Sequence, residues 1–186
     1  MFLFVLYGMK KKTDFIKILY SALSTLLLCV MCVFVLFTFF FHTVKVNGDS
    51  MNPGLHENDK IIISNFLYKP SYGDIIAVNR GSGEEKTLIK RVIALGGDEI
   101  NIDFDTHLIT VNDRVITENY RVAAPISKKG DTDFPVTVPE NCVFVLGDNR
   151  NDSLDSRYSE VGFIKLDEIW GKAVCRISPF GQFNIK

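Results

Sequence analysis

From Ile18 to Phe41 the chain reads ILYSALSTLLLCVMCVFVLFTFFF, without one charged residue. No feature constrains the fold more. At about 1.5 Å of rise per residue the run makes a helix of roughly 36 Å, and the hydrocarbon core of a bilayer is about 30 Å thick. A single transmembrane helix is expected over residues 18–41. Lys10, Lys11, Lys12 and Lys17 precede it, whereas only His42 and Lys45 follow closely. Positive residues stay on the cytoplasmic side, which predicts residues 1–17 inside and residues 42–186 outside, in a single-pass protein of the cell membrane. A cleaved secretory signal is the rival reading, but its apolar core would be shorter and would end in a small-residue cleavage site. This run ends FTFFFHTVKV, which favours a retained anchor with the lipid bilayer as a partner. The leading MFLFVLYG is too short to span and fits translation from an upstream start, with Met9 as the true first residue.

The chain beyond the anchor is long enough for one domain with a real core. Short β-rich runs alternate there with turn signals: KIIIS, DIIAVN, TLIKRVIAL, EINID, HLITVN, CVFVLGD and WGKAVCRIS. Several are bounded by Gly, Asn, Asp or Pro, as strands of a sandwich or partly open barrel would be. The expected fold class is mainly β: one N-terminal transmembrane helix followed by an antiparallel β-sandwich or partly open barrel. Helical spacing outside the anchor amounts to a turn or two near Ser64 to Tyr68. Residues 124–141, APISKKGDTDFPVTVPEN, are polar and proline-punctuated and read as an exposed excursion from the sheet. The formal net charge of −1 offers no concentrated basic face for phosphates, so no nucleic-acid partner is expected.

Four cysteines make no framework. Cys29 and Cys32 lie in the apolar helix, Cys142 and Cys175 in strand-like runs, and no ligand set at zinc spacing accompanies them, so burial is expected for all four and no metal site. A Cys142–Cys175 disulfide stays open until geometry decides it.

Two stretches carry chemistry. In TLIKRVIAL, strand alternation places Leu88, Lys90 and Val92 on one face and Ile89, Arg91 and Ile93 on the other. A lysine among apolar neighbours loses hydration of its charged form, its pKa falls, and a neutral amine can take a proton from a serine hydroxyl. The bland reading is a snorkelling or ion-paired lysine. In NGDSMNPGL, Gly48 and Pro53 would hold the backbone in one shape around Ser50, as a tight turn or as a nucleophile's seat. VLGDNRNDSLDSR, residues 145–157, reads by default as a polar loop with internal Asx-type hydrogen bonds, and could equally hold a lysine amine in place through Asp and Arg pairs.

GDSMNPGL, GDIIAV, IKRVIALGGDEI and GDNRNDSLDSR, in this order after an N-terminal membrane helix, resemble the ordered motifs of type I signal peptidases, prokaryotic membrane-anchored proteases with a Ser-Lys dyad (peptidase family S26). The resemblance covers nearly all of the chain beyond residue 41. It implies Ser50 as nucleophile, Lys90 as general base, Ser153 as the serine that orients the lysine, Asp155 with Arg157 as support, and Asp148 with Arg91 as a second supporting pair. Gly73 and Asp74 resemble the motif that opens a strand lining the substrate groove, and Met51 and Leu55 are expected to add apolar surface around the seat shaped by Gly48 and Pro53. The implied activity is removal of signal peptides from exported preproteins after small residues, in an Ala-x-Ala type site, by a monomer that uses no cofactor. Some members carry a serine two positions before the nucleophile as an oxyanion donor, where this chain has Gly48. Gly54 stands in place of a common threonine, and Leu88 in place of an aromatic. The short motif spacing resembles compact members typical of Gram-positive bacteria.

Three other readings compete. Endoplasmic-reticulum relatives place a histidine where this chain has Lys90, but His42, His56 and His107 lie in no motif. Self-cleaving repressors use the same dyad behind a DNA-binding module, where this chain has an apolar helix. A non-catalytic membrane-tethered β domain that binds exported proteins accounts for anchor and strands, yet gives no reason for the serine, the lysine and the 145–157 loop to occur together. Asp49 suits a turn-capping role.

Overall fold

The computed structural model describes residues 2–80, 87–118, 120 and 122–179, with residues 2–14 described by their backbone. Met1, one of the two candidate starts, and residues 180–186 of the expected β domain lie outside them. The chain divides after Phe40 into two compact units.

The first unit is one helix, α1 (Phe2–Phe40). It begins well before Ile18, since lysines are good helix formers and continue the turn that the apolar run favours. It ends one residue short of that run: Phe41 opens a strand and pairs with Ser64. Residues 15–40 are long and apolar enough to cross a membrane. Three of their hydroxyls turn back onto the helix. Ser24 Oγ and Thr25 Oγ1 donate to Ser21 O at 3.0 and 2.9 Å, and Thr38 Oγ1 to Val35 O at 2.7 Å. Such bonds satisfy groups that lipid could not.

The second unit is built from β1 (Phe41–Lys45), β2 (Lys60–Ser64), β3 (Ile75–Asn79), β4 (Thr87–Leu95), β5 (Glu99–Asp103), β6 (Leu108–Val111), β7 (Arg114–Val115), β8 (Val136–Thr137), β9 (Cys142–Leu146), β10 (Ile164–Lys165) and β11 (Ile169–Ser178), with a 3-10 turn at Leu166–Glu168. The pairings are antiparallel. Seven strands form one sheet in the order β1-β2-β11-β3-β4-β9-β10, and four form a second in the order β7-β6-β5-β8. Both faces of the larger sheet are covered. Val44, Met51, Leu55, Ile61, Ile63, Ile75 and Ile89 pack in one cluster, Ile76, Val78, Val92, Val143 and Val145 in another. A third joins Ile93 and Phe144 to Ile100, Ile102 and Ile109 of the smaller sheet. This places β4, covered on both sides, in the interior.

Residues 124–141 are not a free excursion. Ile126 and Val138 are buried, β8 pairs with β5, and Asn151 Oδ1 accepts from Ser127 N at 2.9 Å. The polar composition hid two apolar anchors. The four cysteines are free, Cys29 and Cys32 exposed on α1, Cys142 and Cys175 half-buried. Cys142 and Cys175 are thus only partly buried, and Cys29 and Cys32 lie on the outside of the apolar segment that is long enough to cross a membrane. A Cys142–Cys175 bridge is out of reach because three strand spacings, about 14 Å, separate β9 from β11.

Candidate active site

Ser50 lies in the loop between β1 and β2. The base of that loop is closed by Val46 N to Asp59 O at 2.8 Å and Asn58 N to Val46 O at 2.9 Å, and a turn within it by Asn52 N to Asp49 O at 3.0 Å. Asp49 caps this turn, accepting from Asn52 Nδ2 through its own carboxylate. The loop is tied to the turn after β9: Asn149 N donates to Ser50 O at 3.0 Å, and Asn149 Nδ2 to Asp49 O at 3.2 Å. Met51 and Leu55 were expected to add surface; instead both are buried at the core, where the hydrophobic gain exceeds any use on a groove wall. They fix the loop from below. Pro53 is exposed.

Lys90 lies opposite Ile76 on β3, on the β4 face that alternation gives to Leu88 and Val92, both of the apolar cluster that holds Ile76. Its residue exposure is 3%. The ammonium donates to Ser50 Oγ at 2.7 Å and to Ile89 O at 3.2 Å. Burial pushes its pKa down from 10.5 to about 8, against the pull of the Asp155 and Asp148 carboxylates, which favour the charge. Ser153 Oγ is buried without a hydrogen-bond partner among the described residues. The bond to Lys90 that the resemblance implied is therefore not formed, because the amine turns to Ser50 and Ile89 instead.

Arg91 points to the other face of β4, opposite Ile75 and Leu146. Its Nε and Nη2 donate to Asp148 Oδ1 and Oδ2 at 2.7 and 2.6 Å, and its Nη1 to Gly73 O at 2.7 Å. Arg157 is likewise fork-paired to Asp155, at 2.8 and 2.9 Å. Its remaining donors reach Lys128 O at 2.7 Å and Arg150 O at 2.6 Å. Bidentate pairs of this kind fix orientation as well as charge. Asp155 Oδ2 also accepts from Gly147 N at 3.1 Å. Asp74 opens β3 but faces inward, taking bonds from Tyr68 Oη and Ser71 N and an ion pair from Lys172. Its carboxylate is a structural hub, with Gly73 beside it linking to Arg91.

Three residues that sequence reasoning missed complete the arrangement. Arg150, 2% exposed, donates through Nε to Gly147 O at 3.0 Å and through Nη2 to Glu118. Tyr120 Oη donates to Glu118 at 2.8 Å, and its ring lies 3.8 Å beneath the Arg91 guanidinium. Arg150 stands in the 145–157 loop; Glu118 and Tyr120 carry no local signal, since the arginines they hold, Arg150 and Arg91, are remote in sequence. Of the histidines, His42 stacks on Trp170, His56 is exposed, and His107 Nδ1 bonds Ile126 O. A serine hydroxyl against a buried, deprotonatable amine, on a β scaffold, defines a site equipped for nucleophilic acyl transfer.

The model of the family described as "Signal peptidase, peptidase S26" matches residues 19–178. The signal peptidase I of Bacillus caldolyticus is 37% identical over 160 residues, 78% of this chain and 84% of that one. The signal peptidase I of Bacillus licheniformis is 31% identical over 188 residues, covering 94% and 97%. A crystal structure of a signal peptidase I from Enterococcus faecalis V583 is similar at a TM-score of 0.45 and 30% identity, over 56% of this chain and 97% of that one. The chain belongs to the S26 signal peptidase family, and it is a serine endopeptidase of the signal peptidase I type. Its N-terminal apolar helix fits membrane anchoring.

Proposed function

We propose that the protein removes signal peptides from exported preproteins with Ser50 as nucleophile and Lys90 as general base. The observation that carries this reading is the 2.7 Å contact between Lys90 Nζ and Ser50 Oγ, made by an amine buried to 3% exposure. Neutral Lys90 takes the Ser50 proton as Oγ attacks the scissile carbonyl. The resulting ammonium returns that proton to the departing amine. Lys90 then activates the water that releases the acyl-enzyme. Backbone N–H groups beside Ser50 receive the oxyanion, Gly48 having no side-chain donor to offer.

The substrates are preproteins with small residues, typically alanine, at the first and third positions before the cut. Residues 18–40 cross the bilayer, residues 1–17 with Lys10 to Lys12 remain in the cytoplasm, and the β domain, which Phe41 opens, works outside as a monomer. Ser50 follows Phe41 by nine residues, at most about 30 Å of extended chain, which suits a membrane-held substrate. The test is cleavage of an Ala-x-Ala preprotein by purified enzyme in detergent, beside Ser50→Ala and Lys90→Ala, with the new N-terminus sequenced. A cut after the second alanine that both substitutions abolish supports the dyad; equal activity in all three proteins refutes it.

A further inference from the structure

Asn47 and Gly48 form the one Asn-Gly pair in the sequence. Both are exposed, just before the Ser50 turn. Gly48 has φ +76°, and a β-carbon built on it would meet nothing within 4 Å. An asparagine amide and the following backbone nitrogen can close a five-membered ring. Glycine at the second position leaves that nitrogen without a side chain beside it.

We propose that Asn47 is a site of spontaneous deamidation whose isoaspartyl product uncouples Ser50 from Lys90. The Gly48 nitrogen attacks Asn47 Cγ; the new C–N bond forms as the side-chain nitrogen leaves as ammonia, carrying the amide proton with it. One water then opens the succinimide. Cleavage at Cγ gives aspartate, and cleavage at the main-chain carbonyl gives isoaspartate, in which the backbone runs through an extra methylene.

The added length enters between two fixed points. On one side Val46 is buried and bonded through both N and O, to Asp59 and Asn58 at 2.8 and 2.9 Å. On the other, Asn149 holds Ser50 O at 3.0 Å and Asp49 O at 3.2 Å. The strain therefore falls on the segment that aims Ser50 Oγ at Lys90 Nζ, where a displacement of about 1 Å costs roughly 100-fold in rate. The aspartyl product adds charge without length and leaves the dyad aligned. The ring chemistry is independent of what Ser50 does; the loss of activity rests on the dyad proposed above.

The experiment ages the full-length protein in detergent and mildly alkaline buffer. At intervals it measures preprotein cleavage, and isoaspartate at residue 47 by enzymatic methyl labelling and peptide mapping. Asn47→Gln, which would need a six-membered ring, and Asn47→Ser serve as two non-cyclising controls, and Ser50→Ala reports the modification without activity. Activity should fall in proportion to isoaspartate at residue 47, the two controls should hold their starting activity, and Ser50→Ala should accumulate isoaspartate at the wild-type rate. An absence of isoaspartate in the folded chain when the unfolded chain acquires it overturns the proposal. So does equal decay in wild type and controls, or full activity in protein whose residue 47 has converted. Failure of the dyad itself would show differently, as cleavage retained by fresh Ser50→Ala.

Discussion

Gly147 presents its α-carbon to the main chain of Ser50 so closely that a β-carbon there would stand 2.5 Å from the Ser50 carbonyl oxygen, and 2.3 Å from Ser153 Oγ. Its own N–H and C=O are held by Asp155 and Arg150, so it cannot back away. Gly147→Ala should therefore displace the nucleophile and lower kcat/KM by about 100-fold or more. Adding Ser153→Gly removes one clash and leaves the one against Ser50, so the double variant should stay impaired. Recovery of wild-type cleavage in the double variant would show that the contact with Ser50 does not matter.

Glu118 joins the strand-poor segment after β7 to the catalytic loop through Arg150. Glu118→Ala leaves a buried guanidinium without its carboxylate, and the loss of a charged hydrogen bond costs about 2 kcal/mol. Thermal unfolding in detergent should show a lowered Tm, and kcat should fall more than KM rises, because Arg150 grips Gly147 rather than substrate. Glu118→Gln keeps an acceptor and should recover part of both. Unchanged unfolding and kinetics in Glu118→Ala would show that Arg150 does not position the Gly147 turn.

Lys90 is held at a cost to stability. Its folded pKa of about 8 lies below the free value of 10.5, so between those values the unfolded lysine keeps a proton that the folded one has released. Stability from this group rises with pH across that window, and the burial cost stands in full below it. Lys90→Met should be inactive yet more stable than wild type at neutral pH, by up to about 3 kcal/mol, and the gap should close as pH approaches 10.5. Denaturation curves at several pH values check the sign; a gap that widens with pH contradicts the burial of a charge.

The longer strands were legible because β-branched runs between turn residues need only local pairing to declare themselves, as in KIIIS and TLIKRVIAL. The pairing partner, by contrast, defines β7, β8 and β10. Each is two residues long and carries no period of its own. Lys90 stood out as a charge on an apolar face. Arg150, Glu118 and Tyr120 did not, since a charged residue in a polar loop reads as solvated until folding buries it against a carboxylate over thirty positions away. Asp74 was read through its motif, and its bonds to Tyr68 and Lys172 are tertiary. Ile126 and Val138, in stretches broken by Pro125, Pro135 and Pro139 and with no period of their own, could not announce that residues 124–141 are pinned down.

Activation of Ser50 by a neutral Lys90 is read out in the pH dependence of kcat/KM on an Ala-x-Ala preprotein. The rate should rise about tenfold per pH unit below the Lys90 pKa, level off above a midpoint near 8, and be abolished by Lys90→Arg, whose guanidinium stays charged. A profile flat through that midpoint, or substantial cleavage by Lys90→Arg, would contradict it.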